Sequence, residues 1–352
     1  MPVSDHLDPY AKPPEEMRIV YKKYQKMKLH DLDSDQSIID LQKGLLDHQL
    51  SQVKSVRTLD KNSVSMVWQG FLHLSTTTIE PTTNLNVYGL AHLPGLEILP
   101  SLIPPDVQVE LLSRLVHRDL PNPNHKTNLH LHYDMIYPSK GTSYFKLPQE
   151  TTFQPKDPSI HKPLSLSTVL TKKLRWVTLG GQYDWTAKRY PDAPPPAFPP
   201  DIASLTSGLF NTKAEAAILN FYSPGDTLSL HRDVSEDCEN GLVSISLGCD
   251  GIFIIGLDDA SSVASSEQQQ QQMRYAVLRL RSGDAVYMNG ASRFAWHGVP
   301  QIVAGTCPDY LKDWPASSYG SDGDEYGPTF EEWRGWMAGK RLNLNIRQMK
   351  DP

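Results

Sequence analysis

A mainly β protein with flanking helices, built on a β-sandwich or jelly-roll core, is the fold the sequence predicts. Short strands with period-two alternation recur beyond Ala214. Turn signals separate several of them. Helical periodicity is confined to a few earlier stretches. The 352 residues suffice for one large domain, or a domain with an extension, and a substantial core.

Residues 1–80 are expected to form an N-terminal helical extension, and 81–352 the main domain. Glu15 to Leu29 reads as a basic helix carrying Arg18, Lys22, Lys23, Lys26 and Lys28. Asp31, Asp33 and Asp35 follow as an acidic patch. Such a helix is most simply a solvated face, with a partner or nucleic-acid contact as the alternative. Leu93 to Leu120 reads as a strand or loop ending at Pro104-Pro105, then a helix. Asp106 is its expected N-cap, and Val107, Leu111, Leu112 and Leu115 give it helical spacing.

Pro121 to Pro200 is rich in Pro, Asn and Thr with interspersed aromatics, and reads as loops and short strands ending in a proline-dense linker. The core is expected at about 214–350. Its strands are Ala217 to Tyr222, Leu242 to Leu247, Ile252 to Gly256, Tyr275 to Leu280, Ala285 to Met288 and Leu342 to Ile346. Ser223-Pro224-Gly225-Asp226, Cys249-Asp250-Gly251 and Ser282-Gly283-Asp284 mark turns. Ser261 to Gln272, Ser- and Gln-rich, reads as a disordered loop insertion.

Composition narrows the function classes. Hydrophobic residues are 39% and charged residues 21%, ordinary for a globular protein. No apolar run approaches the roughly 20 residues a bilayer span needs. Met1 to Tyr10 has no basic stretch followed by an apolar one, so a secretory signal is not expected. Three cysteines, Cys238, Cys249 and Cys307, form no C-x-x-C, and a reducing intracellular compartment suits them. Nucleus, cytoplasm and mitochondrion all stay open. The net charge of −6 does not advertise a nucleic-acid binder, although a local basic face is compatible with it. A hydrolase has no support, because there is no nucleophile elbow, and Gly180-Gly181 lacks the context of a phosphate loop.

The chemistry-bearing residues begin with His231-Arg232-Asp233. On a strand, residues i and i+2 share a face, so an imidazole and a carboxylate would converge on one ion. Two His and one carboxylate on one face of an octahedron make the facial triad of non-haem Fe(II) oxygenases. His297, 64 residues after Asp233 and just past a strand, is the candidate third ligand. H-x-D alone is common, and His130-x-His132 is a second pair that reads better as the polar face of a strand.

Arg341-Leu342-Asn343-Leu344-Asn345-Ile346-Arg347 alternates strictly. Arg341, Asn343, Asn345 and Arg347 share one face, the leucines and isoleucine the other. If that polar face points inward it requires an anion, and a dicarboxylate such as 2-oxoglutarate suits paired guanidinium groups. The alternative is a solvated face of a surface strand. Asn220 and Tyr222 likewise share a face and could add an amide and a phenol.

In this order, Asn220-Phe221-Tyr222, His231-x-Asp233, His297 and Arg341-x-Asn343-x-x-x-Arg347 resemble the AlkB family, and most closely the AlkB homologue 1 branch. The resemblance covers roughly Leu93 to Met349 and includes Leu174-Arg175-Trp176-Val177-Thr178-Leu179-Gly180. It implies a double-stranded β-helix core with an N-terminal nucleotide-recognition lid, here about 121–200. It implies catalytic Fe(II) on His231, Asp233 and His297. It implies 2-oxoglutarate on that iron, with its distal carboxylate at Arg341 and support from Asn220, Tyr222 and Asn343, and Arg347 near the iron and substrate. With O2 the family oxidises an N-methyl group and releases succinate, carbon dioxide and formaldehyde. Two positions depart from the family. Asn345 stands where Thr is usual, and Ser235 stands where the bacterial enzyme has an acid that contacts the base.

Lys162 to Tyr190 carries Lys162, Lys172, Lys173, Arg175, Lys188 and Arg189 against the single acid Asp184, interleaved with Trp176, Tyr183, Trp185 and Tyr190. Cations for phosphates beside rings for stacking suit single-stranded or flipped-out nucleotides. Trp176, Tyr183 and Trp185, with Ser235 and Glu236 just after the H-x-D pair, are therefore the expected substrate contacts. Methylated tRNA or DNA is the expected partner. No membrane is expected, and the oligomeric state is open. A 2-oxoglutarate oxygenase of methyl-lysine protein would share the iron site but would suit an acidic groove. A jelly-roll binding module without activity would not need the intact triad.

Overall fold

The computed structural model describes residues 7–8, 10–73, 79–257, 274–316 and 328–350. The Ser261 to Gln272 run lies outside them. Fifteen strands are found among the described residues: β1 (Ile38–Ile39), β2 (Val53–Leu59), β3 (Leu85–Leu90), β4 (Leu93–Leu99), β5 (Thr152–Phe153), β6 (Leu164–Ser165), β7 (Trp176–Gly180), β8 (Ala216–Tyr222), β9 (Leu228–His231), β10 (Leu242–Gly248), β11 (Gly251–Leu257), β12 (Arg274–Leu280), β13 (Ala285–Met288), β14 (Trp296–Ile302) and β15 (Arg341–Arg347). All six strands expected in the second half are present, most of them a residue longer at one or both ends.

They assemble into an eight-stranded sheet, β2-β3-β4-β13-β10-β15-β8-β7, and a five-stranded sheet, β1-β12-β11-β14-β9. From β8 onward the chain passes repeatedly between the two sheets, the connectivity of a jelly roll. All pairings are antiparallel except β1 with β12. Leu242, Val243, Ile245, Leu247, Leu342, Leu344 and Ile346 belong to the large buried core cluster.

The first eighty residues are not only helical. β1 joins the five-stranded sheet and β2 pairs with β3 in the eight-stranded one. The helix Glu15–Lys26 covers the outer side of the five-stranded sheet, burying Met17 and Tyr24 with Ile252, Ile254, Val277 and Trp296. Its cationic side chains therefore occupy the opposite, solvated side, as an amphipathic helix requires. The lid stretch is also not separate throughout, because β7 extends the eight-stranded sheet through its pairing with β8.

Two local expectations are corrected. Asp106 lies in the first turn of the helix Pro105–Ser113, whose N-cap is Pro104. Pro105, the first helical residue, lacks an N–H that would have no intrahelical partner, and an acid in the first turn complements the helix dipole. His130 and His132 lie in a turn, not on a strand. The Nδ1 of His130 accepts from Thr127 N–H at 2.8 Å, and its Nε2 lies 2.7 Å from the Tyr137 hydroxyl. Gly180 does permit a close approach: its φ is +63°, and a Cβ there would come 2.2 Å from the Glu215 carbonyl oxygen. No helix of the described residues is long and apolar enough to cross a membrane.

Candidate active site

β9 and β14 lie side by side in the five-stranded sheet, with His231 directly opposite His297. His297 is inside β14 rather than past a strand, and Asp233 is two residues beyond the end of β9 rather than on it. The convergence is therefore cross-strand: pairing sets the imidazoles face to face, and the chain leaving β9 turns Asp233 back between them. One ligand atom from each residue lies within 4.8 Å of the other two. Asp233 Oδ1 is 3.8 Å from His231 Nε2, and its Oδ2 is 3.7 Å from His297 Nε2.

The ring orientations are set by the backbone. His231 Nδ1 is 2.9 Å from the Ser229 carbonyl, and His297 Nδ1 is 3.0 Å from the Ala295 carbonyl. A carbonyl only accepts, so Nδ1 carries a proton in both rings and Nε2 is the atom each ring turns toward Asp233. Burial, then the neighbouring His231, pushes the His297 pKa down to about 4 against the opposing Asp233 charge, so the ring is neutral at neutral pH. Burial would raise Asp233, but Arg347 first, then His231, His297 and Arg293, hold it below the usual carboxylate range. Two imidazoles with Nε2 turned toward one point and an ionised carboxylate form the donor set of a facial triad, and they fit a divalent iron.

The second part of the site lies on the facing sheet. β8 and β15 pair so that Tyr222 opposes Arg341 and Asn220 opposes Asn343. Ser246 opposes Asn343, and Ser244 opposes Asn345, across β10 and β15. Directly opposed residues share a face, so these polar side chains line one patch of the interior. The inward reading of the alternating strand is the one that holds: Arg341, Asn343 and Arg347 are all buried.

Arg341 is 2% exposed, yet no carboxylate lies within 4.0 Å of it among the described residues. It donates to the Cys249 and Leu280 carbonyls at 3.1 and 3.2 Å and to Ser246 Oγ at 2.8 Å, while its Nε finds no partner. The Tyr222 hydroxyl is also buried and without a partner. Burial pushes the guanidinium pKa down and the phenol pKa up. A buried cation beside an unsatisfied donor calls for an anion, and a carboxylate fits both. Gly251 on β11 leaves room for this guanidinium, since a Cβ there would meet Arg341 Nε at 2.7 Å. Asn343 Nδ2 donates to Ser244 Oγ and the Ile245 carbonyl.

Arg347 sits at the other end of β15, its Nη2 3.5 Å from Asp233 Oδ2. Burial opposes its charge, but Asp233, Tyr190 and Glu236 raise its pKa above the ordinary value. Arg293, buried in the turn Gly290–Phe294, donates to the Asp233 carbonyl at 2.9 Å.

The aromatic residues of the lid form one cluster. Trp176 stacks on Trp185 with centroids 3.7 Å apart and planes 20° from parallel. Tyr183 meets Trp185 edge-on at 5.0 Å and Tyr190 at 5.4 Å. Ser235 Oγ lies 3.3 Å from the Tyr183 hydroxyl, which ties the cluster to the loop after Asp233. Lys162, Lys172, Lys173, Arg175 and Arg189 are exposed along this region, while Lys188 lies 3.7 Å over the Tyr10 ring. Glu236 does not join the substrate-facing set. Its side chain is fully buried and bonded to Arg293, Arg347 and Tyr190. Trp176 is half-buried, with one face covered by Trp185. Cys238 is buried and stands outside the ligand cluster.

Ser244, Ser246, Arg293 and Gly251 were not singled out from the sequence. The two serines carry a local signal, because they alternate with Val243, Ile245 and Leu247. Arg293 and Gly251 carry none, since both act on residues at least forty positions away.

The model of the 2OG-Fe(II) oxygenase superfamily matches residues 139–347. The N6-methyladenosine RNA demethylase ALKB1 of Pyricularia oryzae is 44% identical, over 98% of this chain and 98% of its own length. The N6-methyladenosine RNA demethylase ALKBH of Cryphonectria parasitica is 51% identical over 63% of this chain and all of its own. The tRNA demethylase abh1 of Schizosaccharomyces pombe is 37% identical over 75% of this chain and 82% of its own.

Proposed function

The chain belongs to the 2OG-Fe(II) oxygenase superfamily, as an AlkB-type dioxygenase close to the ALKBH1 proteins, and on that footing we propose that it demethylates N-methylated bases in RNA. The enzyme class brings Fe(II), 2-oxoglutarate and O2. The observation that carries the reading is the cluster of His231 and His297 Nε2 with the Asp233 carboxylate, together with a buried Arg341 that lacks a carboxylate.

In this reading His231, Asp233 and His297 hold the iron. Arg341 and the Tyr222 hydroxyl would take the distal carboxylate of 2-oxoglutarate, with Asn220 and Asn343 on the same patch, and Arg347 lies beside Asp233. Bound there, iron with 2-oxoglutarate and O2 supplies the oxidant that hydroxylates an N-methyl carbon, after which the hydroxymethyl group leaves as formaldehyde. The remaining work belongs to the protein. The Ser229 and Ala295 carbonyls fix the orientation of the two rings before metal binds. Phe253, 5.9 Å from the His297 ring, keeps an apolar wall beside the triad.

Nucleic acid, rather than a cationic peptide, is supported by the exposed Lys162, Lys172, Lys173, Arg175 and Arg189 in the stretch of chain that carries the Trp176, Tyr183, Trp185 cluster. A ring that stacks on a base is sequence-tolerant and needs only one open face. Trp185, more than a third exposed, offers one. RNA is favoured over DNA because two relatives, 44% and 51% identical to the chain, are named for N6-methyladenosine in RNA. An intracellular location is part of the same proposal and suits three free thiols.

The test is a mass-spectrometric panel. Purified protein meets Fe(II), 2-oxoglutarate and N6-methyladenine, N1-methyladenine or N3-methylcytosine oligonucleotides, each as RNA and DNA, with His231→Ala as control. Loss of methyl from RNA, absent in the variant, supports the reading. Iron-dependent consumption of 2-oxoglutarate with no loss from any oligonucleotide would shift it to a protein substrate.

A further inference from the structure

Two guanidinium groups are buried against the same ligand residue. Arg347 faces the Asp233 carboxylate at 3.5 Å, and Arg293 donates to the Asp233 backbone carbonyl at 2.9 Å and to the Asn240 carbonyl at 3.0 Å. Buried cations require carboxylates within reach, because the interior does not screen or solvate them. If Asp233 alone served this purpose, its charge would be shared between arginine and metal.

Glu236, three residues on, meets both arginines. Its Oε2 accepts from Arg293 Nη2 at 2.9 Å, and its Oε1 accepts from Arg347 Nη1 at 3.1 Å. The Tyr190 hydroxyl donates to the same Oε1 at 3.1 Å. Both oxygens are therefore engaged, and the side chain is fully buried. The three donors come from the turn Gly290–Phe294, from β15 and from the lid. No substrate atom could reach this carboxylate without displacing one of them.

We propose that Glu236 is a positioning residue whose carboxylate holds Arg347 and Arg293, so that Asp233 keeps its own carboxylate for the metal. The inference rests on the Fe(II) reading of the triad. It replaces a substrate contact at Glu236 with a role one shell away from the iron. Through Tyr190 it also joins the lid to the frame of the metal site.

Metal affinity, read without turnover, tests it. The metal-free full chain is titrated with Mn(II) by calorimetry, in the absence of 2-oxoglutarate. Glu236→Gln keeps the shape and removes the charge. Its expected effect is a loss of about tenfold in Mn(II) affinity, the lower end for removal of an outer-sphere partner. In an Arg347→Gln background the same change is expected to cost less than about twofold, because the competitor it restrains is gone. Unchanged affinity in folded Glu236→Gln overturns the proposal. An equal loss in both backgrounds also overturns it, since the charge would then act without Arg347. Should Glu236→Gln fail to fold, Arg347→Gln alone decides: it is expected to bind Mn(II) at least as tightly as wild type, and weaker binding is the overturning result. Wild type that binds no Mn(II) would sink the metal reading itself, which is a different outcome from a wild type that binds while Glu236→Gln is indifferent.

Discussion

Tyr222 and Arg341 face each other across β8 and β15, both buried, with the phenol oxygen and one guanidinium nitrogen unsatisfied by any described protein group. Burying such groups without partners costs on the order of 1–3 kcal/mol each. The pair is thus built for a ligand rather than for stability. Tyr222→Phe is expected to leave the melting temperature equal or higher. It should raise the KM for 2-oxoglutarate about tenfold to a hundredfold, the worth of one hydrogen bond to a charged group. A lower melting temperature with unchanged KM would show that the hydroxyl serves the fold.

Arg341→Lys tests geometry rather than charge. A lysine keeps the cation but loses the planar fork that grips a carboxylate at two points. The expected result is a KM for 2-oxoglutarate raised by about tenfold or more, with Mn(II) affinity within about twofold of wild type. Steady-state kinetics with varied 2-oxoglutarate reads the first, and calorimetric titration with Mn(II) reads the second.

Gly251→Ala should produce a milder copy of that defect from the opposite sheet. The added Cβ would lie 2.7 Å from Arg341 Nε and 3.2 Å from its Cδ, so the guanidinium must move. Overpacking of this kind typically costs about 1–3 kcal/mol. Weaker 2-oxoglutarate binding is expected alongside a lower melting temperature. Normal 2-oxoglutarate affinity would mean that the arginine can shift without losing its aim.

The lid prediction concerns Tyr183 and Trp185 together. Trp185 is exposed and Tyr183 half-buried, so replacing both by Ala should cost little stability beyond their mutual ring contacts, about 1 kcal/mol each. Stacking on a base is worth about 1–3 kcal/mol, so oligonucleotide affinity should fall roughly tenfold or more while iron-dependent oxidation of 2-oxoglutarate persists. Intact oligonucleotide binding and turnover in the double variant would remove both rings from the substrate site.

A pH dependence is expected from a histidine far from the triad. His117 stacks on Phe330 at 5.0 Å, lies 2.7 Å from Ser143 Oγ, and burial followed by Lys146 pushes its pKa down to about 3. Unfolding returns it to its ordinary value near 6.5, so below that pH the unfolded chain binds the extra proton and the folded chain does not. Stability from this group is complete above pH 6.5 and declines as pH falls toward 3. Urea midpoints between pH 7 and 4.5 should fall in wild type and fall less steeply in His117→Asn. Equal slopes would place the acid sensitivity elsewhere.

Alternation is a local property, and it was legible. Arg341 to Arg347 is one continuous strand with its polar residues on one side, as the residue order alone implies. The order of Asn220, Tyr222, His231, Asp233 and His297 was also legible, because a short-stranded fold keeps its site residues at strand ends and in register. That both sides of β15 are buried was not, since the same alternation fits a surface strand until the five-stranded sheet is laid across it. Cross-strand pairing decided that His297 lies inside β14 opposite His231, a relation between positions 66 residues apart. Tertiary packing likewise took Glu236 from a supposed substrate contact to a buried bridge, because its three donors come from positions 46, 57 and 111 residues away. Charge on a side chain is written in the residue; the partner that neutralises it is chosen only when distant strands close around it.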